Sequence, residues 1–287
     1  MSQSPALPDE TRPGRSALRV ADAAATIDFY RDVVGLRVRN RDGTRVTLGT
    51  GERPLLVLLV DPTAEPRDER ETGLYHNAFR VPSRGALGAA LERVREEWTL
   101  DGASDHGVSE ALYCTDPEGN GVEIYRDRPR DAWPRTDDGS VRAAGAPLDL
   151  EALAAAADDG AGSNGSQLAP DETTLGHIHL EVSSLDAARS FYAERLGFDV
   201  SMSFAPGVCF FAAGGYHHHI GVNTWNQRST PGDGLGLAWV EFVVPDADAI
   251  DAIRERFDDG VASVTAIDGG IEITDPDGIR IRMRPAE

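Results

Sequence analysis

The sequence predicts an α+β fold of four βαβββ modules, and three observations carry that prediction. Residues 14–38 (GRSALRVADAAATIDFYRDVVGLRV) return as residues 176–200 (GHIHLEVSSLDAARSFYAERLGFDV), with Phe29-Tyr30 matching Phe191-Tyr192 and Gly35 matching Gly197 at one constant offset of 162. More loosely, YHNAFRVPSRGALGAALERV (75–94) matches AWVEFVVPDADAIDAIRERF (238–257). Finally, DPEGNGVEIY (116–125) is echoed by DPDGIRIRMR (275–284). A repeat of about fifty residues has to be read first, because it sets the architecture.

Each module opens on a short alternating strand, such as Ile178, Leu180 and Val182. A helix follows, opened by Asp22 in the first module and by Ser183-Ser184 in the third. Apolar residues then recur at helical spacing (Ile27, Tyr30, Val33, Val34), and Gly35 or Gly197 stops the helix, as a left-handed C-cap requires. Shorter β segments are predicted at Val38–Leu48, Leu55–Val60, Val208–Ala213 and His219–Asn223. The second and fourth modules end in DPxG turns, Asp116–Gly119 and Asp275–Gly278, each leading into an alternating strand. The module boundaries fall at residues 14–70, 71–127, 173–228 and 235–287. Between the second and third lies an acidic Ala/Asp/Gly/Ser/Pro-rich linker, residues 128–172, with one helical fragment at Leu148–Ala157 and no readable chemistry.

A chain of 287 residues can bury cores for two ordinary domains. Its longest apolar run, Pro54–Val60, is far too short to span a bilayer, so no membrane is expected. Residues 1–14 hold no apolar stretch, so no secretory leader is read and the cytoplasm is the expected compartment. Two cysteines, Cys114 and Cys209, make no disulfide framework. The net charge is −20, and all 28 basic residues are arginine. No basic cluster offers a phosphate-binding surface, which excludes nucleic acid as an expected partner. An acidic surface without lysine suits a protein that must stay hydrated in concentrated salt, the halophilic expectation.

Four modules allow equivalent positions to be compared. Five residues before the strand-ending valines Val20, Val81, Val182 and Val244 stand Arg15, His76, His177 and Trp239. In the last strand after DPxG the second module carries Glu123 where the fourth carries Arg282. Two imidazoles and one carboxylate, His76, His177 and Glu123, make the facial set used for non-haem Fe(II), with three positions left open. A lone strand histidine is more often a hydrogen-bonded core residue; three correct types at matched register make the stronger case. Pairing modules one with two, and three with four, would split this set. Pairing two with three completes it and leaves one and four as a ligand-free pair.

The blocks GLYHNAFRVP, DHGVSEALYCTDPEGNGVEIY, DRPRDAW, LGHIHLEV and AGGYHHHIGVNTW, together with the fourfold repeat, resemble the vicinal oxygen chelate superfamily of glyoxalases and extradiol dioxygenases. More narrowly they are similar to its two-domain catechol 2,3-dioxygenases. The resemblance implies modules paired into two incomplete barrels, an Fe(II) cofactor with Mn(II) as the alternative, and O₂ with a small aromatic diol as substrates. It also implies an acid–base histidine in the run His217-His218-His219. The alignment favours His218, and a strand there would put His217 and His219 on the opposite face. In the same resemblance Tyr113, ten residues before Glu123, is a catalytic residue that hydrogen-bonds the bound substrate or oxygen intermediate, and His106 is a substrate-contacting one. His179 reads either as a supporting donor beside His177 or as a polar interior residue. Cys114 should point away from Tyr113 and has no assigned role.

Two other functions stand beside ring cleavage. A glyoxalase-type isomerase or lyase closes its metal site with a fourth protein ligand, commonly a second Glu, and the mirror strand here offers only histidines. A non-catalytic binding protein of the same fold usually lacks the full triad. The ring substituents, catechol against hydroquinone, and the oligomeric state, homo-oligomer included, stay open.

Overall fold

The computed structural model describes residues 6–137, 139–160, 168–204, 206–257 and 263–286. The βαβββ unit recurs four times. The first module runs β1 (Arg12–Val20), α1 (Ala23–Phe29), β2 (Arg37–Asp42), β3 (Arg45–Thr50) and β4 (Arg53–Val60). The second runs β5 (Gly73–Arg80), α2 (Arg84–Glu97), β6 (Gly102–Asp105), β7 (Ser109–Thr115) and β8 (Gly121–Asp127). After α3 (Leu150–Gly160) the third module follows as β9 (Thr174–Glu181), α4 (Leu185–Arg189), β10 (Asp199–Phe204), β11 (Val208–Ala212) and β12 (Ile220–Asn223). The fourth is β13 (Gly236–Val244), α5 (Ala247–Glu255), β14 (Val264–Ile267), β15 (Gly270–Thr274) and β16 (Arg280–Pro285).

All four module helices start the same way. Asp22, Ser83, Ser184 and Asp246 each accept a backbone N–H from the first turn, satisfying donors that would otherwise have no partner. α1 and α4 then widen into a π-type turn, Tyr30–Val34 and Ser190–Arg195. Gly35 ends the first of these in the left-handed region (φ 87°), and its N–H reaches Tyr30 O, as the sequence predicts.

The strands form two eight-stranded mixed sheets, ordered β14-β15-β16-β13-β1-β4-β3-β2 and β10-β11-β12-β9-β5-β8-β7-β6. The first draws on modules four and one, the second on modules three and two. This is the pairing that the ligand comparison requires.

By contact the chain divides into two compact units: residues 19–64 with 76–176, and residues 1–18 with 65–75 and 177–287. In the former, the buried Tyr30 hydroxyl donates to Asp116 Oδ2 (3.2 Å) in the DPEG turn. Asp116 Oδ1 takes the N–H groups of Glu118 and Asn120. Buried Arg93 of α2 donates to Val33 O and Val34 O, the free carbonyls at the end of the preceding module's helix. In the latter unit the same devices recur. Tyr192 donates to Asp275 Oδ2 (2.8 Å), and Arg256 donates to Leu196 O (2.7 Å). Losing one partner of such a buried pair costs about 1–3 kcal/mol.

The described part of residues 128–172 is docked rather than free; residues 138 and 161–167 lie outside the description. α3 packs on α2 across Gly88, where an added Cβ would stand 2.5 Å from Leu153 O. Trp133 is buried and donates its indole N–H to Arg128 O (2.8 Å). A bridge joins Asp105 to Ala146.

Burial pushes the Asp275 carboxyl up to about 7, outweighing the hydrogen bonds from Tyr192 and the Ile279 and Asp277 amides. The folded protein therefore keeps a proton that the unfolded chain sheds near pH 4. This contribution to stability is fully present below the unfolded value and is lost as pH rises through about 7. In urea titrations from pH 4 to 7 the wild type should lose stability relative to Asp275→Asn, and parallel curves would refute the shift.

Candidate metal centre

The parallel pairing of β5 with β8 places His76 opposite Gly121 and Ala78 opposite Glu123. His76 and Glu123 thus share one face of adjacent strands, and His76 Nε2 lies 3.0 Å from Glu123 Oε2. Both are buried. On the next strand Tyr113 pairs directly with Glu123, and its ring centroid is 5.8 Å from that of His76. The Tyr113 hydroxyl is 2.8 Å from His106 Nε2, while His106 Nδ1 is 3.0 Å from Ala144 O. A carbonyl can only accept, so Nδ1 carries the proton. In the neutral ring Nε2 is then an acceptor, and Tyr113 donates to it. The supposedly plain linker supplies the carbonyl that fixes this tautomer.

In the other unit His177 is buried on β9, and His218 is its close neighbour, with ring centroids 4.1 Å apart. His218 Nδ1 is 2.7 Å from His217 Nδ1, so one proton is shared between the two rings. One ligand atom each from His76, Glu123 and His177 lies within 4.8 Å of the other two, a spacing that one ion can bridge.

The expectation for the histidine run needs correcting. Residues 213–219 form the turn between β11 and β12, not a strand, so the alternation of faces does not apply. Instead His219 Nδ1 accepts the Ala213 N–H, and its ring stacks on Tyr216 at 4.8 Å. His219 braces the turn, His217 is fully buried behind His218, and His218 is the partly accessible member against His177.

The residue that mirrors Glu123 is also different from the one expected. In β5–β8 the glutamate pairs two residues beyond His76; in β9–β12 the residue pairing two beyond His177 is Gly221, opposite His179. This position offers no side chain at all. An added Cβ would stand 3.0 Å from the His179 ring and 3.1 Å from Phe210. The parallel register could not be read from the sequence, because the run of histidines masked a strand that starts only at Ile220.

Cys114 pairs with Val122, on the face opposite Glu123, and burial pushes its thiol up to about 12. It lies outside the site, as expected.

The signature of the Glyoxalase/Bleomycin resistance protein/Dioxygenase superfamily matches residues 12–124 and 174–283. The chain belongs to this superfamily. Within it, the chain is similar to a catechol-2,3-dioxygenase of Bacillus subtilis (strain 168), 37% identical over 274 residues, covering 93% of this chain and 95% of the relative. A biphenyl-2,3-diol 1,2-dioxygenase of Rhodococcus globerulus is 32% identical over 114 residues, 38% of this chain and 60% of that one. Solved structures bear on this superfamily member's fold alone. A putative dioxygenase of Bacillus subtilis aligns with TM-score 0.65 at 14% identity, over 98% of this chain and 86% of that one. Glyoxalase I of Zea mays aligns with TM-score 0.60 at 14% identity, over 96% and 92%. No helix among the described residues is long and apolar enough to cross a membrane.

Burial also raises the Cys209 thiol, so neither cysteine of this superfamily member presents a thiolate at neutral pH. Ellman's reagent at pH 8 should find no reactive thiol in the native protein and two after unfolding in guanidinium; rapid native labelling would contradict the burial.

Proposed function

We propose that the chain is a metal-dependent extradiol dioxygenase that opens a catechol-type ring with O₂, using His76, Glu123 and His177 as ligands to Fe(II), with Mn(II) as the alternative. The similarity to a catechol-2,3-dioxygenase over nearly the whole chain supports this reading. The observation that carries it against its rival is Gly221 at the mirror of Glu123. A glyoxalase-type site closes with a fourth side chain, and glycine supplies none. The donor set fits a divalent ion: two imidazole nitrogens and one carboxylate oxygen suit borderline divalent metals and leave an open face.

A bound ion would bring both diol oxygens and O₂ to adjacent positions and carry electron density between them. The protein's own groups do the rest. His218, beside His177 and partly open to the site, accepts a proton from a catechol hydroxyl and returns it as the ring opens. His217 shares a proton with it across the 2.7 Å Nδ1–Nδ1 contact, which lets the pair hold or release one without solvent. Tyr113, tied to His106, presents its hydroxyl on the face that carries Glu123 and His76. The Ala78, Ala111 and Tyr125 cluster packs behind it and keeps water from that wall.

The reading is tested by loading the protein anaerobically with Fe(II), then following O₂ uptake and a yellow ring-opened product across catechols and hydroquinones. Ala at His76, Glu123 or His177 should remove bound metal, read by elemental analysis, with the circular dichroism spectrum unchanged. Stoichiometric metal in Glu123→Ala would remove that residue from the set.

His218→Phe should keep the metal and still bind catechol, with kcat reduced about 10²–10⁴-fold, the usual worth of a positioned acid–base group. Single-turnover rates place the loss in chemistry rather than binding. Normal turnover in this variant would move the proton shuttle to Tyr113 or His106.

A further inference from the structure

β6 is the last strand of its sheet, so one of its edges is open to pairing. The segment Arg142-Ala-Ala-Gly-Ala146 occupies that edge. Asp105 N–H donates to Ala146 O (2.9 Å), and Ala146 N–H donates back to Asp105 O (2.9 Å). Ala144 N–H donates to His106 O (3.0 Å), while Ala144 O receives the His106 ring at Nδ1 (3.0 Å). Ala144 therefore spends both of its backbone groups on one histidine.

This segment holds on by main chain alone. From Ala143 to Ala146 no side chain extends beyond Cβ, and Ala144, Gly145 and Ala146 are exposed. Its upstream end is firmly anchored. Arg142 N–H donates to Pro134 O (2.8 Å), and Trp133 beside that proline is buried. Pro134 in turn covers Gly107, where an added Cβ would stand 3.0 Å from Pro134 Cγ, on a backbone at φ 74°. Downstream, α3 is docked through buried Leu153. An exposed strap clamped between two buried ends can peel from the edge while its anchors stay in place.

What the strap controls is a direction. A neutral imidazole has one donor and one acceptor nitrogen, and the partner of one fixes the role of the other. With the Ala144 carbonyl on Nδ1, Nε2 accepts the Tyr113 proton across 2.8 Å. A hydroxyl that has given its only proton to His106 can act toward its other neighbours solely as an acceptor. Without the carbonyl, the ring is free to carry its proton on Nε2. Tyr113 would then accept from His106 and turn its own proton toward the face it shares with Glu123 and His76.

We infer that residues 142–146 are a positioning strap for the reaction: through Ala144 they hold His106 in one tautomer, and so make the Tyr113 hydroxyl an acceptor for a hydroxyl of the bound diol. The role of the diol rests on the ring-cleavage reading above; the hold on His106 stands independently of it.

The first readout needs no activity. Ring-nitrogen NMR of histidine-labelled, metal-free, full-length protein reports which nitrogen of His106 carries the proton, with His106→Asn identifying its signals. The wild type should show the proton on Nδ1. Ala144→Gly, which keeps both backbone groups, should show the same. Ala146→Pro, which removes the donor to Asp105, should shift the proton to Nε2. If circular dichroism shows that this variant does not fold, two glycines inserted after Val141 slide the strap out of register and serve instead.

The second readout is steady-state turnover of catechol by the Fe(II)-loaded enzyme. The released strap should raise KM about fivefold, the worth of one hydrogen bond, with kcat within about twofold, because that bond is made in ground state and transition state alike. In a Tyr113→Phe background, releasing the strap should have no further effect. A His106 tautomer unchanged by release, or an undiminished effect without the Tyr113 hydroxyl, would overturn the inference and leave ring cleavage standing. If no diol is opened yet the tautomer follows the strap, the ring-cleavage reading fails and the hold on His106 survives.

Discussion

The parallel pairing between the first and last strand of a module is the constraint on which the rest depends. Its register is the same in three modules. Two residues past the ligand position, Ala78 pairs with Glu123, His179 with Gly221 and Glu241 with Arg282. One backbone geometry thus presents a carboxylate, an empty space and a guanidinium at the same place. A one-residue slip would turn each of these side chains to the opposite face and leave His76 without its carboxylate neighbour. The chemistry of the site therefore lies in register first and in residue identity second.

In modules two and four a hydrogen bond from the preceding module fixes where the last strand starts. The Phe-Tyr pair occurs in modules one and three, and the DPxG turn in modules two and four, because each needs the other. Tyr30 reaches Asp116, and Tyr192 reaches Asp275, both fully or nearly fully buried. The aspartate then gathers the amides of its own turn, which starts the last strand at a fixed point. Glu123 follows Asp116, and Arg282 follows Asp275, by the same seven residues. Arg93 and Arg256 add a second tie by occupying carbonyls at the ends of the neighbouring helices. The burial that raises the Asp275 carboxyl is the cost of this anchor, and it explains why the anchor is a hydrogen-bonded tyrosine and not a charged partner.

These ties explain what the sequence made legible. Strongly periodic strands, capped helices and glycine stops come from local chemistry, so all four modules could be placed before any coordinates. The candidate set was legible for the same reason: His76, His177 and Glu123 could be compared with Arg15, Trp239 and Arg282 at equivalent positions, and the structure brings their donor atoms together. The histidine run failed for a physical reason: nothing local distinguishes a polar strand from a braced turn, and only the Ala213 N–H to His219 bond decides it. A row of packed rings was illegible for another reason. Tyr75, His179, Phe204, Phe210 and Trp225 are scattered over 151 positions of sequence, and only tertiary packing brings their rings together.

The sheet without the His-Glu-His set shows the same backbone geometry carrying side chains that cannot ligate a cation. Trp239 occupies the position of His76 and His177, and the Arg282 guanidinium lies 4.1 Å from the centre of its ring, with Arg15 at 5.8 Å. Arg15 and Arg284 both pair with buried Glu241, and Arg282 pairs with Glu272. Guanidiniums remain charged at any physiological pH and accept no hydrogen bond, so they cannot ligate a cation and would repel one. Indole has no lone pair to offer in place of imidazole. The ligand position has been filled by a stacked, ion-paired plug that keeps the strands in register through packing and matched charge. Imidazole and carboxylate at those positions offer metal donors; indole and guanidinium offer none, and the backbone accommodates either without changing its pairing.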